Sequence, residues 1–496
     1  MATLAPPRAT EPALSESHPP AGRRAFPSPS LDTLFTAVFA LFGWGVGIER
    51  LSDNSFFWHL KTGGLILDQG IPHADPFSYT AHGTDWVAQS WLAELLYGTV
   101  DRSFGAFGLR VLGGVVGITV AVLAFRLALR IAGDRIRAAL LTVAALGSLY
   151  TIWSERPLLF GVLFLLLVLW VVEVPTSVLG RRPLLALPII FWLWANVHGT
   201  FALGFAYLGL YFVGRWLDGY RPWEGRERTL LTGTVIAGLA TFANPYGLSL
   251  VLFPIDLLRR GDVLSNVIEW SSPDFHHVRG YAFALWIVVF AGIAARAKNR
   301  MSRRDLVVAV PFLLLGLWAL RNIALAPLVG LPIAARAVAV PRQSLLARAP
   351  RALGIGVAVA IGVLALAIAI RAAGQPDYAL DSYPVKAIDA VERQDLLGKR
   401  LLVDDADGGY LILRSWPEQR VFFDDRFDMY PLGVISDFTT VSTGKPGWDK
   451  VLTDHDVEIV VWERSRILTQ LLRQTDDWDV TYQDKDYVLF VRADIL

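Results

Sequence analysis

The sequence predicts a polytopic α-helical membrane protein with a small C-terminal α/β domain. Composition is the first reason, because 54% of the 496 residues are hydrophobic and only 18% are charged, against about 25% charged residues in ordinary soluble chains. Distribution is the second reason. Long runs between Leu31 and Ala373 are almost free of charge, whereas the residues after Gln375 are rich in Asp, Arg and Lys. The contrast indicates that the first region lies in the membrane and the second in water.

Apolar runs of membrane-spanning length recur along the first region. A spanning helix needs about 20 mostly apolar residues, and about 17 is a workable minimum. Runs near or above this length cover residues 31–49, 107–131, 136–153, 157–174, 183–197, 200–217, 229–243, 281–297, 304–320, 322–340 and 352–373. We therefore expect about eleven transmembrane helices between residues 31 and 374, and a soluble domain over residues 375–496.

The arginines between these runs predict the orientation. Cytoplasmic loops are enriched in Lys and Arg, and every second turn is rich in Arg, starting with residues 130–137 and 181–182. The N-terminus is then cytoplasmic, and eleven spans place the C-terminal domain outside the inner (plasma) membrane. Residues 1–30 are rich in Pro, Ser and Ala and are expected to form a disordered cytoplasmic tail. They do not resemble a signal peptide, because the first apolar run starts only at Leu31.

Composition also disfavours several kinds of partner. The net charge is +1 at pH 7, which gives no reason to expect nucleic-acid binding. The chain has no cysteine, so disulfides and thiolate metal sites are excluded. The lipid bilayer is the partner that the composition itself implies.

Polar side chains concentrate on the predicted outer side. Glu155-Arg156, Asn196 to His198, Glu269 and Arg321 all fall at outer helix ends. Seven of the eight histidines lie on this side: His59, His73, His82, His198, His276, His277 and His455. A cleft that opens outward would produce this pattern, and so would ordinary anchoring of polar groups at the interface.

The first outer loop, residues 51–106, is too long to be a simple connector. Residues 55–67 and 86–100 are each predicted to form an amphipathic helix that lies along the outer membrane surface. Asp53 lies just past the first span, at the point where this loop begins. The loop is therefore expected to form a platform beside the ends of the spanning helices.

The residues of this loop resemble those of a known superfamily. They are, in order, Asp53, Trp58-His59-Leu60, Gly70-Ile71-Pro72, Gly83-Thr84-Asp85-Trp86 and Trp91-Leu92-Ala93-Glu94. This order is similar to the first outer loop of GT-C glycosyltransferases, multi-pass enzymes that use polyprenyl-phosphate sugars and include protein mannosyltransferases and aminoarabinose transferases. The resemblance covers residues 31–340 in architecture and about 51–110 in motifs. The acidic pair of the relatives is reduced here to one acid, since Asn54 follows Asp53.

The resemblance implies a hexosyl- or pentosyltransferase in which Asp53 is the general base. His59 and Asp75 are further candidates for the catalytic group around it. A divalent cation could join Asp53, Asp75 and a histidine, although no metal-ligand spacing is recognisable in the sequence. The implied donor is a polyprenyl-phosphate sugar, and the implied acceptor is a glycan, a lipid or a protein outside the cytoplasm.

Arg156, His198 and Arg321 are the candidates for binding the donor phosphate. Arg321 interrupts an otherwise apolar stretch of residues 307–335. An arginine at the centre of a membrane helix costs about 2.5–3.5 kcal/mol on insertion scales. Arg321 should therefore lie at an interface or in a wet cleft, either holding an anion or reaching toward the headgroups.

Two other functions are compatible with this pattern. One is a transporter or flippase of a lipid-linked or anionic substrate, although transporters often contain internal repeats and none is recognisable here. The other is a non-catalytic membrane scaffold that retains the fold. An Asp53 that packs away from any cavity would favour the scaffold.

The C-terminal region changes to short β runs with helices between them. Strands are predicted at residues 401–404, 420–423 and 458–462, helices at 408–412 and 467–474, and a closing hairpin over 480–491. This alternation is typical of a small α/β domain. Asp424, Asp425 and Arg426 follow the second strand and could contact a substrate, although such residues more often cap and turn the chain.

Overall fold

The computed structural model of this chain describes residues 29–261, 268–297, 301–341 and 350–495. Residues 1–28 of the predicted N-terminal tail lie outside the described residues. The described part contains a helical region followed by a domain with a single mixed sheet.

Thirteen helices make up the described helical region. They are α1 (Leu31–Gly47), α2 (Asn54–Gln69), α3 (Trp91–Ala132), α4 (Arg135–Tyr150), α5 (Leu158–Glu173), α6 (Pro183–Val197), α7 (Phe201–Leu217), α8 (Gly225–Ala240), α9 (Leu248–Arg259), α10 (Val278–Arg296), α11 (Arg303–Trp318), α12 (Leu325–Ala337) and α13 (Arg351–Ala373). All of them except α2 and α9 coincide with a predicted apolar run, and the polytopic helical fold class is confirmed. By length and composition alone, α3, α10 and α13 are long and apolar enough to cross a bilayer, while α1, α5, α6 and α7 are apolar but shorter.

The first loop differs from its prediction in one respect. The helix predicted over residues 55–67 forms as α2, but the helix predicted over residues 86–100 is wrong in extent. Trp86 instead donates its backbone N–H to His73 O at 2.9 Å, which holds it in an extended turn. The helix begins only at Trp91 and continues into the membrane region as α3, with a break at Gly105, where φ is 65°.

Glycines bring α1 into backbone contact with α3. A Cβ atom built on Gly43 would lie 2.2 Å from Gly117 O, and one on Gly47 would lie 2.2 Å from Gly113 O. Small residues four apart allow membrane helices to approach this closely, because packing rather than hydrophobicity drives their association. The contact fixes the end of α1 and therefore the start of the loop that carries Asp53.

The C-terminal domain is built on a four-stranded sheet with the order β1-β2-β4-β3. Its β1–β2 pair is parallel, and its other two pairs are antiparallel. The strands are β1 (Leu401–Leu402), β2 (Ile459–Glu463), β3 (Trp478–Gln483) and β4 (Tyr487–Arg492), and the helices are α14 (Val385–Arg393), α15 (Asp405–Ser415), α16 (Leu432–Ser442), α17 (Trp448–Asp454) and α18 (Ile467–Leu472). The strand predicted at 420–423 is wrong, because Val421 makes only single bridges, to Ser78 and to Leu401.

Buried Arg426 joins the C-terminal domain to the first loop. Its Nη2 donates to Asp424 Oδ2 at 2.7 Å, and its Nη1 lies 2.8 Å from Asp75 Oδ1 in an ionic contact. All three side chains are completely buried. Because Asp75 belongs to the loop and Asp424 to the domain, this cluster fixes one against the other.

We predict that Arg426→Ala separates the domain from the loop. It leaves two carboxylates buried without a cation, and breaking a buried ion pair costs about 3–5 kcal/mol. We expect a lower melting temperature in detergent and faster proteolysis after residue 375. Arg420→Ala is the matched control, because Arg420 is exposed. Equal behaviour of the two variants would contradict the bridging role of Arg426.

Candidate functional site

Asp53 lies at the junction of α1 and the first loop, where it caps α2. Its Oδ1 accepts the backbone N–H of Phe56 at 3.2 Å, which is the usual geometry of an N-cap aspartate. Its Oδ2 lies 3.0 Å from Arg156 Nε, and Arg156 comes from the turn between α4 and α5. Arg156 also forms an ion pair with Glu269 through Nη2. Three segments far apart in the sequence thus meet at one arginine.

The C-terminal domain contributes Asp425 to the same place. Ser55 Oγ donates to Asp425 Oδ2 at 2.5 Å, and Trp58 Nε1 donates to Asp425 Oδ1 at 2.6 Å. Burial raises the pKa of Asp425 to about 7; Ser55 and Arg156 oppose this rise, while Asp424 and Asp53 add to it. Asp425 is therefore a carboxyl that changes charge near neutral pH, held directly beside the start of α2.

Asp53, Glu155, Glu269 and Asp425 form a carboxylate cluster around Arg156. Burial and the charge of Asp53 raise the pKa of Glu155 to about 7. Burial also acts to raise the pKa of Glu269, but the charges of Arg156 and Arg321 outweigh it and hold that pKa below its usual value. The cluster thus contains both an ionised carboxylate, Glu269, and two carboxyls, Glu155 and Asp425, that titrate near neutrality.

Arg321 lies beside this cluster in a separate pocket. The pocket has a volume of about 170 Å³, and its polar lining includes Arg321, His198 and Gln89. The Arg321 guanidinium lies 4.7 Å from the centre of the Trp270 ring. Within the described part of the chain, it makes no hydrogen bond to another residue. Its donors are therefore available to an anion.

His198 faces Arg321 across the pocket as a neutral imidazole. Its Nδ1 accepts the backbone N–H of Thr200 at 3.2 Å, which leaves the ring proton on Nε2. Burial lowers the pKa of His198 to about 3, and the positive charges of Arg321 and Arg156 lower it further. A neutral histidine can donate one hydrogen bond from Nε2 without adding charge.

An apolar groove leads away from this pocket between α7 and α11. It has a volume of about 700 Å³ and shares Leu315 and Trp318 with the pocket. The rest of its lining is Ala206, Gly209, Leu210, Pro311 and Leu314. A pocket that holds an arginine and a histidine and adjoins an apolar groove has the shape needed for a phosphate attached to a long hydrocarbon chain.

His59 and Asp75, the other two predicted site residues, are buried and pair with other groups. His59 Nδ1 is 2.7 Å from Glu94 Oε1, and the His59 ring packs on Trp58. Burial lowers the pKa of His59 well below its usual value, and the positive charges of Arg156 and Arg426 lower it further. Asp75 is enclosed by Arg426 and by the Ser78 backbone and hydroxyl groups.

The structure therefore brings some of the six predicted residues together and keeps others apart. Asp53 and Arg156 are in direct contact, and His198 and Arg321 share the neighbouring pocket. His59 lies behind them, whereas Asp75 is confined to the ion pair that holds the domain. The roles of all six residues stay predictions.

Sequence reasoning did not assign Glu269 or Ser55 to the site, and it considered Asp425 as a residue at a strand end that could contact a substrate or only cap and turn the chain. Glu269 and Ser55 carry no sequence signal that distinguishes them from interfacial polar residues. Asp425 does carry one, because the Asp-Asp-Arg run directly follows the buried residues 421–423. Charged residues after a buried apolar run are candidates for a site at the edge of a domain.

The carboxylate cluster does not fit a divalent cation as it stands. Among the residues that the structure describes, no three His, Asp or Glu side chains have the arrangement of a metal site. Asp53 is paired with Arg156, and both oxygens of Asp425 accept hydrogen bonds. We therefore assign no step to a metal.

The chain has the overall fold of the solved structures of ArnT and of an oligosaccharyltransferase. The chain is similar to ArnT from Cupriavidus metallidurans bound to undecaprenyl phosphate, with 14% identity and a TM-score of 0.51 over 92% of this chain and 97% of that one. The apo form of ArnT gives 15% identity and a TM-score of 0.53 over the same shares. The apo oligosaccharyltransferase of Archaeoglobus fulgidus gives 11% identity and a TM-score of 0.54, over 87% of this chain and 69% of that one. No protein-family model and no curated protein matches the chain.

We predict that Asp425 makes stability depend on pH. A pKa of about 7 in the folded protein, against about 3.9 in the unfolded chain, means that the folded state holds the proton more tightly. The stability from this group is present below about pH 4 and is lost as the pH rises through 7. The Asp425→Asn variant cannot ionise at this position, so it does not lose this stability as the pH rises. Its side chain can still form hydrogen bonds with Ser55 and Trp58.

The melting temperatures of wild type and Asp425→Asn should therefore be similar near pH 4 and diverge by pH 8, with the variant higher. Asp479→Asn, which changes an exposed aspartate on β3, is the control and should track the wild type. A constant difference across this range would rule out the titration of Asp425.

Proposed function

We propose that this protein transfers a sugar from a polyprenyl-phosphate donor to an acceptor, with Asp53 as the general base. One observation carries the proposal. The Asp53–Arg156 pair and the uncommitted Arg321 guanidinium both lie close to Glu269, and the pocket that Arg321 lines adjoins an apolar groove. The fold likeness to ArnT, which was solved with undecaprenyl phosphate, supports a lipid-linked donor.

The donor would place its phosphate in the pocket and its hydrocarbon chain in the groove. Arg321 can bind two phosphate oxygens at once, and hydrogen bonds between ions are about twice as strong as neutral ones. His198 would add one donor from Nε2, and Arg156 would supply positive charge nearby. These groups would also stabilise the phosphate as it departs, when its charge increases.

The acceptor hydroxyl would approach from the side of the carboxylate cluster. Its oxygen forms a bond to the anomeric carbon while the bond from that carbon to the phosphate oxygen breaks. The hydroxyl proton passes to Asp53, and polyprenyl phosphate leaves. His59 would pack behind this centre, while Asp75 would act through Arg426 by holding the C-terminal domain in position.

The same proposal includes location and domain organisation. Residues 31–374 would form the membrane domain and residues 375–496 an extracytoplasmic domain, with the N-terminus in the cytoplasm. The reaction would then take place on the outer face of the plasma membrane. The acceptor would be a glycan, a lipid or a protein exposed there, and the donor would carry a hexose or a pentose.

We predict that Asp53→Asn lowers turnover by at least about 100-fold, the low end of the contribution of a general base. Donor binding should change little, because a base acts mainly in the transition state. Asparagine is as good an N-cap as aspartate, so α2 should be retained. The assay is transfer from a polyprenyl-phosphate sugar in membranes that carry the native acceptor.

Asp68→Asn is the matched control for this variant, because Asp68 lies at the other end of α2 and pairs only on the surface with Arg102. It should transfer sugar at the wild-type rate. Near-normal transfer by Asp53→Asn would eliminate Asp53 as the base. No transfer by the wild type with any donor would favour a transporter or a scaffold.

We predict that Arg321→Ala weakens donor binding as well as turnover, because its charge contacts the phosphate before and during transfer. The loss in donor affinity should be about tenfold or more, the usual cost of removing a hydrogen bond to a charged group. Arg259→Ala, at an exposed position on α9, is the control and should bind donor normally. A variant that lost turnover but kept donor affinity would contradict the phosphate-binding role.

A further inference from the structure

A second pocket lies at the opposite end of the helical region. Three helices, α5, α7 and α12, begin near Arg156, His198 and Arg321 and run away from the site. The 16 residues of α5 span about 24 Å, close to the thickness of the hydrocarbon core. At the far ends of these helices is a pocket of about 450 Å³.

Five arginines from five different helices line this pocket. They are Arg130, Arg215, Arg226, Arg304 and Arg336. The rest of the lining includes apolar residues from the end of α3 and the end of α5. The five side chains therefore converge on one cavity from separate elements.

Three carboxylates offset part of this charge. Arg215 makes two hydrogen bonds to Glu227, at 2.8 and 2.6 Å. Glu173 and Asp305 lie between Arg304 and Arg336. Arg304 and Arg336 each contact both of these carboxylates, at 2.5 to 3.4 Å. These pairs position the arginines and neutralise three of them.

Two arginines remain without a carboxylate in the part of the chain that the structure describes. Arg226 donates only to backbone carbonyls, those of Gly180, Val171 and Val172. Arg130 is exposed and makes no hydrogen bond to a described residue. In addition, Arg336 Nε is buried and has no hydrogen-bond partner there. The pocket therefore has about two uncompensated positive charges and one free, buried donor.

An apolar groove begins one residue beyond Arg336. It has a volume of about 420 Å³ and is lined by Ala337, Val338 and the last part of α10, which ends with Arg296 as its one charged lining residue. Bilayer hydrocarbon is the natural occupant of such a groove at a membrane-facing helix end. A charged pocket with an apolar groove beside it matches a lipid with an anionic headgroup better than a soluble anion.

We propose that this pocket binds the phosphate group of an anionic lipid from the leaflet opposite the C-terminal domain. A phosphate monoester with up to two negative charges matches the excess of two arginines. A guanidinium can bind two phosphate oxygens at once, which suits Arg130, and Arg336 would add its one free donor, Nε. The inference does not depend on the proposed glycosyl transfer.

Binding to the full-length protein in detergent tests the proposal. The probes are phosphatidic acid, phosphatidylcholine and inorganic phosphate, measured by native mass spectrometry and by the rise in melting temperature. We expect phosphatidic acid to bind and stabilise, and phosphatidylcholine to do neither. Arg130→Ala should lower the affinity for phosphatidic acid by about tenfold or more, since a charge-assisted hydrogen bond is lost.

Arg228→Ala is the matched control, because Arg228 lies two residues past Arg226 but is exposed and does not line the pocket. It should bind phosphatidic acid as the wild type does. Arg336→Lys keeps the charge but lacks the free Nε donor, and it should also bind more weakly. It provides a second measurement if Arg130→Ala is poorly folded.

Two results would overturn the proposal. Equal loss of binding in Arg130→Ala and Arg228→Ala would mean that phosphatidic acid binds through diffuse surface charge. Equal stabilisation by inorganic phosphate, with the same dependence on Arg130, would identify a soluble phosphate as the ligand instead of a lipid. Neither readout uses transfer activity, so failure of the proposed enzyme function would be seen separately.

Discussion

Arg426 is the interaction on which the arrangement of the site depends. A guanidinium removed from water is costly unless charges surround it, and here Asp75 and Asp424 do so from two different parts of the chain. Replacing such a group by apolar residues can be neutral, but removing one partner is not. The cluster therefore acts mainly to specify one docking geometry. Because Asp424 and Arg426 are fixed, Asp425 between them is held against Ser55 and Trp58.

The sequence predicted the elements of the membrane region well because bilayer thickness constrains them directly. The length of each apolar run limits a helix, and Pro, Gly or Arg residues mark its ends, so boundaries such as those of α6 coincide with the prediction. The position of Asp53 followed from the same logic, since it comes just after the first helix. Local capping chemistry then explains its orientation, because an aspartate before a helix binds the first free N–H groups.

What the sequence could not provide was the pairing of distant segments. Ser55 and Asp425 are 370 residues apart, and no periodicity relates them. The same limit explains the two wrong elements. Trp86 is held extended by His73, and Val421 pairs with one residue of the first loop and one of β1. In both cases a contact with another segment overrides the local preference for a helix or a strand. The composition of the segment does not indicate which segment it will contact.

The participation of Asp425 has a consequence for how the protein is made. During synthesis the helices up to α13 are complete before the residues that contact Ser55 and Trp58 have been added. Until the C-terminal domain has folded, Arg156 has Asp53 and Glu269 as partners but lacks the nearby charge of Asp425. The cluster is thus completed by a part of the chain that emerges after all the helices of the helical region. Formation of the complete carboxylate cluster therefore depends on synthesis and folding of the C-terminal domain.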